Sequence, residues 1–191
     1  MLRFLSALLG LAVFSSACGR FPATPGSASE ELVCLQDCAP ESLDPHAGGH
    51  VAQTQEVLGN VYESLVALDS EMRVVPALAE SWSNPDERTW DFRLRRGVRF
   101  HSGGALTAAD VVWSFERARA GGHAALTSLA SIEAVPGGVR LRTREPDASL
   151  LGKLRDVYVA SRAFVEERGE GALESASAGT GPFSVTGHAA G

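Results

Sequence analysis

Cys34 and Cys38 stand four positions apart, and His46 and His50 follow at the same interval, so these four side chains are the ones whose types could bind a metal, exchange electrons or form a crosslink. A metal site usually takes more than two ligands at recognised intervals, and Pro45 separates the thiols from the imidazoles in no such register, so metal is the weakest reading. Two readings of the thiols stay open. A Cys34–Cys38 disulfide is chemically permitted if the chain is exported, and two unpaired thiols are equally compatible with the sequence. His101, His123 and His188 are scattered and read as structural or solvated groups. The arginines from Arg93 to Arg99 could meet phosphates, but strand alternation puts Arg93 and Arg95 on a solvated face beside Asp91. Gly103-Gly104 precedes a helix start without the lysine or the third glycine that a nucleotide-binding loop needs. No Ser-His-Asp, His-Glu-x-x-His or paired-carboxylate arrangement is legible. Enzymatic activity is therefore not expected, and no cofactor is called for.

Cys18 has a different context. Met1-Leu2-Arg3 supplies a positive end, Phe4 to Phe14 an apolar core, and Ser15-Ser16-Ala17 the small residues a signal peptidase accepts. The core is too short to span a bilayer, which takes about 20 apolar residues. Residues 1–17 thus read as a secretory signal, and the small-small-Cys junction resembles a bacterial lipobox with Cys18 as the acylated N-terminus. Ser15 stands where leucine is usual, which leaves ordinary cleavage near Ala17 open. Residues 18–31 contain Pro22, Pro25, Gly19 and Gly26 and read as a flexible tether from a lipid anchor in the membrane.

The elements that would position a site are mixed. Leu32 to Leu35 is a short apolar run suited to a buried strand. Val57, Leu58, Val61, Tyr62, Leu65 and Val66 recur at helical spacing, with Glu56, Asn60 and Glu63 opposite. From Thr89 the period changes to two, with Trp90, Phe92 and Leu94 on one face. Thr107 and Asp110 form a capping pair ahead of Val111, Val112, Phe115 and Ala118. Ile132–Val135 and Val139–Thr143 flank Pro136-Gly137-Gly138 as a hairpin. Asp147 caps a short helix carrying Leu150, Leu151 and Leu154, and Val157–Ala160 is a further strand. Pro76, Pro85 and Gly97 read as turn residues, and Trp82, Trp90, Phe92, Phe100 and Trp113 as one aromatic core.

The chain has 191 residues, 45% of them hydrophobic and 21% charged, and a formal net charge of -6. An acidic balance of this kind argues against general nucleic-acid binding, which needs a basic face. The class is α/β (mixed α+β), without internal repeats.

Six segments then stand in one consistent order: Leu43-Asp44-Pro45-His46, Asn60 to Leu65, Pro76 to Trp82, Thr89 to Gly103, Leu106 to Val112, and Gly179-Thr180-Gly181-Pro182-Phe183. Their order resembles the bacterial extracellular solute-binding proteins of family 5, the oligopeptide-, dipeptide- and nickel-binding lipoproteins of ABC importers. The resemblance runs from about Leu32 to Phe183. It implies the N-terminal part of a periplasmic-binding-protein type II fold. Residues 32–44 would open the first ligand-binding lobe, 45–175 would form the additional domain of this family, and 176–191 would return to that lobe. The opposite lobe has no counterpart, so the expected protein is a truncated form. The implied partners are a peptide or other small solute and an ABC permease, and the implied location is extracytoplasmic. Residues just after the first strand line the cleft in this family, which maps onto Gln36 and Asp37; an ordinary solvated turn is the competing reading. The alternative function is a non-transport secreted interaction domain or a non-functional gene fragment. Peptides, nickel complexes, haem, sugars and opines are all bound on this frame, so the ligand is not legible.

Overall fold

The computed structural model describes residues 40, 42–47, 52–174 and 176–187. All belong to the second of the chain's two units, Met1–Leu35 and Gln36–Gly191. The expected signal, tether and first strand lie outside the described residues, as do Cys18, Cys34, Gln36, Asp37, Cys38, His50 and His188.

In chain order the elements are helix α1 (Ala52–Val61), strands β1 (Glu63–Ser64), β2 (Val66–Leu68), β3 (Val74–Pro76), β4 (Ala79–Asp86) and β5 (Thr89–Leu94), and helix α2 (Ala108–Ala120). Strands β6 (Leu129–Val135) and β7 (Gly138–Thr143), helix α3 (Leu150–Lys153), strand β8 (Tyr158–Val159) and helix α4 (Arg162–Arg168) follow. Strands β4, β5, β7 and β6 form an antiparallel sheet in that order, while β2 pairs with β3 and β1 with β8.

The period of two in β5 decides how this sheet is used. Phe92 and Leu94 are buried and Trp90 packs beside them, whereas Arg93 is exposed. Phe92 faces Val139 and Trp90 faces Leu141 across the β5–β7 ladder. Onto this face α2 brings Val111, Phe115 and Ala118, all fully buried. The α2 start is fixed by the expected reciprocal cap. The Thr107 hydroxyl accepts from the Asp110 N–H at 3.3 Å, and the Asp110 carboxylate accepts from the Thr107 N–H at 2.9 Å. Such a cap contributes about 1 kcal/mol. On the opposite face Arg140 binds Asp91 through bonds of 2.6 and 2.8 Å. That face is open to water, as one face of an antiparallel sheet can be.

Several expectations are corrected. The helical pattern read from Val57 to Val66 stops at Val61, because Glu63–Ser64 pairs with Tyr158–Val159 and Val66–Leu68 with Val74–Pro76. Leu65, at the bend between β1 and β2, and Val66, at the start of β2, are both fully enclosed, a burial that imitates a helical stripe. Asp147 does not cap α3. Ser149 holds the N-cap position, and the Asp147 carboxylate instead gathers Ser149 N–H, Ser128 Oγ and Lys153 Nζ, which hold its carboxyl below the usual range. Leu154 falls in the single 3-10 turn after α3. Pro85 lies within β4, where the β4–β5 register shifts between Ser83 and Asp86. The aromatic residues also serve two cores. Trp82, Trp90, Phe92 and Phe100 belong to the sheet core, while Trp113 joins Leu58, Val61, Tyr62, Tyr158 and Phe164 in a second cluster.

Candidate functional site

The Gly-Thr-Gly-Pro-Phe segment is a backbone strap laid against the end of α1. Gly181 N–H donates to the Val61 carbonyl at 2.9 Å and Phe183 N–H to the Asn60 carbonyl at 3.1 Å, so the strap takes up two of the carbonyls that a helix end leaves open. His101 clamps it from the other side. Its N–H donates to Gly179 O and its Nε2 to Gly181 O, each at 2.8 Å. Contact this close leaves no room for a side chain. A Cβ on Gly179 would lie 2.1 Å from Val61 O, and one on Gly181 would lie 2.6 Å from Asn60 O.

Two polar atoms beside this strap, Thr180 Oγ1 and His101 Nδ1, are buried without a hydrogen-bond partner among the described residues. Phe183 is 57% exposed, unusual for a large apolar side chain. An unpaired buried polar atom costs about 1–3 kcal/mol, so the arrangement favours any further group that could bond there.

Residues 42–47 lie beside the end of the stretch that closes at Glu174, since Leu43 N–H donates to Glu174 O at 3.2 Å. Asp44 and His46 are buried against α2. Arg117 donates Nη1 to Asp44 Oδ1 and Nη2 to Asp44 Oδ2, each at 2.7 Å, and Nη1 also reaches His46 Nδ1 at 3.1 Å. Because His46 Nδ1 accepts, the ring proton sits on Nε2 and donates to the Tyr158 carbonyl at 3.0 Å. Trp113 closes the site, edge to face with His46 and under the Arg117 guanidinium at 5.8 Å. Burial pushes the His46 imidazole down to about 4, with the Tyr158 bond opposing it. Burial alone would raise the Asp44 carboxyl, but hydrogen bonds from Arg117 and from the His46 N–H hold it below its ordinary value.

The sequence reading singled out His46 as a weak metal candidate and did not foresee Arg117. The signal was present as a polar stripe: Asp110, Ser114 and Arg117 follow one another at helical spacing on α2. Asp110 accepts from Arg162 N–H, and Ser114 exchanges hydrogen bonds with Ala160. Among the described residues no group of three His, Cys, Asp or Glu side chains could hold a metal.

The mixed helices and sheet match solved structures of the periplasmic-binding-protein type II class. The substrate-binding domain of an oligopeptide ABC transporter from Bacillus anthracis superposes with a TM-score of 0.73 at 20% identity, over 80% of this chain and 34% of that one. The Helicobacter pylori periplasmic binding protein DppA, solved with the peptide STSA, gives 0.67 at 26% identity, over 77% and 35%. The model of the bacterial extracellular solute-binding proteins, family 5 Middle, matches residues 73–191, and the chain belongs to that family. The periplasmic oligopeptide-binding protein OppA of Haemophilus influenzae is 37% identical over 89 residues, 46% of this chain and 16% of that protein. The glutathione-binding protein GsiB of Salmonella choleraesuis is 29% identical over 188 residues, 94% of this chain and 35% of that protein. The matches thus cover between about a sixth and about a third of those relatives' length.

Proposed function

We propose that the chain is part of an extracytoplasmic solute-binding lipoprotein that delivers peptides or related small solutes to an ABC permease. Residues 1–17 act as its signal, Cys18 carries the lipid, 18–31 form the tether, and 32–44 open a ligand-binding lobe in which Gln36 and Asp37 face the solute. Residues 45–175 are the additional domain and 176–191 return to the lobe.

One observation carries this division: the Leu43–Glu174 bond sets the entering and leaving segments side by side, as a domain inserted into another lobe requires. The strap supports it, since Thr180 Oγ1, His101 Nδ1 and exposed Phe183 then meet the rest of that lobe. The names of the relatives support the solute class. OppA is an oligopeptide-binding protein, and DppA was solved holding a tetrapeptide. Uptake of a radiolabelled tripeptide tests the reading. Deleting the gene should lower uptake and restoring it should recover uptake; equal uptake with and without the gene overturns the transport role.

A further inference from the structure

The water-facing side of the four-stranded sheet carries a groove that this reading leaves unused. Its volume is about 770 Å³, within the range of about 300–1,000 Å³ usual for small-molecule sites. Ser81, Ser83, Arg93, Arg96, Pro136 and Arg140 stand around it. Gly138 also lines it, and a Cβ there would lie 1.8 Å from the Phe92 carbonyl oxygen, so no side chain is tolerated at that point of β7.

Arg93 is paired with Glu80 at 2.7 Å and Arg140 with Asp91 at 2.6 Å, and Glu133 stands opposite Arg140 across the β6–β7 ladder. Arg96 is the lining arginine that has no ion-pair partner among the described residues. The Ser81 and Ser83 side chains are exposed and have no hydrogen-bond partner among the described residues. Val135 and Pro136 add apolar surface at one end.

We propose that this groove binds a small amphipathic monoanion, its carboxylate held by Arg96 with the Ser81 and Ser83 hydroxyls and its short apolar body laid on Val135 and Pro136. A single guanidinium without an ion pair matches a carboxylate better than a phosphate dianion. The amide NMR spectrum of the full chain, titrated with hexanoate, hexanamide and inorganic phosphate, tests this. Hexanoate should shift the amides of Ser81, Arg96 and Gly137 saturably, and binding should weaken about tenfold in Arg96→Gln, the loss expected for one charge-assisted bond. Arg96 is exposed, so the variant should keep its fold, and its remaining spectrum verifies that. Ser83→Ala should weaken binding in the same direction. The site is overturned if hexanoate gives no saturable shift, if hexanamide or phosphate binds as well as hexanoate, or if folded Arg96→Gln binds hexanoate as the wild type does.

Discussion

Arg117 grips Asp44 through two parallel hydrogen bonds of 2.7 Å each, across 73 residues of sequence. The fork-to-fork geometry is one that lysine does not reproduce. The pair ties residues 42–47 to α2, and the side chains are only 20% and 9% exposed. Removing one partner takes the charge-assisted fork from the other in a place with little water, leaving Arg117 the longer contacts to Glu170 and His46, and Asp44 the His46 N–H among its remaining bonds. Asp44→Ala is expected to destabilise by about 3 kcal/mol. Arg117→Lys should recover less than half of the Arg117→Ala loss. Urea unfolding of the single and double variants checks both, and additive losses would show that the two groups are not coupled.

His46 makes the same junction sensitive to acid. Its folded-state value near 4 lies below the ordinary 6.5, so the unfolded chain takes up a proton first as pH falls. The stability tied to neutral His46 is therefore complete above about pH 6.5 and is lost progressively toward pH 4. Asp44, held low, adds its own loss only at still lower pH. Between pH 7 and pH 5 the His46 contribution should fall by about 2 kcal/mol. Urea midpoints at the two pH values should differ in the wild type, and the difference should shrink in His46→Gln. An unchanged pH response in that variant would remove His46 as the cause.

Gly179 in the strap and Gly187 beyond it differ sharply in contact. Gly179→Ala should destabilise by about 3 kcal/mol, since its methyl would meet Val61 O at 2.1 Å and backbone must shift to admit it. Gly187→Ala meets nothing within 4 Å and should stay within about 0.5 kcal/mol of wild type. Thermal unfolding of the two variants compares them directly, and equal losses would mean that the strap does not lie against α1.

The alternation in β5 sets a second contrast. Phe92 is 2% exposed and neighbouring Arg93 points to water. Phe92→Ala should cost about 3–5 kcal/mol and Arg93→Ala about 0.5 or less. A comparable loss from both would reject the strand register.

At the N-terminus the proposed acylation has its own readout. Metabolic labelling with a palmitate analogue should tag the wild-type chain and leave Cys18→Ala unlabelled. Equal labelling of the two would move the lipid elsewhere or remove it.

How far the sequence reached depended on whether a pattern was local. The β5 alternation, the Thr107–Asp110 cap and the Pro136-Gly137 turn were legible because their causes lie within a few residues: a period of two, a reciprocal hydrogen bond and a positive φ at Gly137. The order of the six segments sufficed for the family. Leu65 and Val66 misled because burial on all sides erases the periodicity that separates strand from helix, and only pairing with distant strands decides between them. The Asp44–Arg117–His46 junction and the Gly179 strap were decided by tertiary structure alone. Each depends on groups more than 70 residues apart whose meeting satisfies buried polar atoms, and nothing in the neighbouring sequence records which distant partner does so.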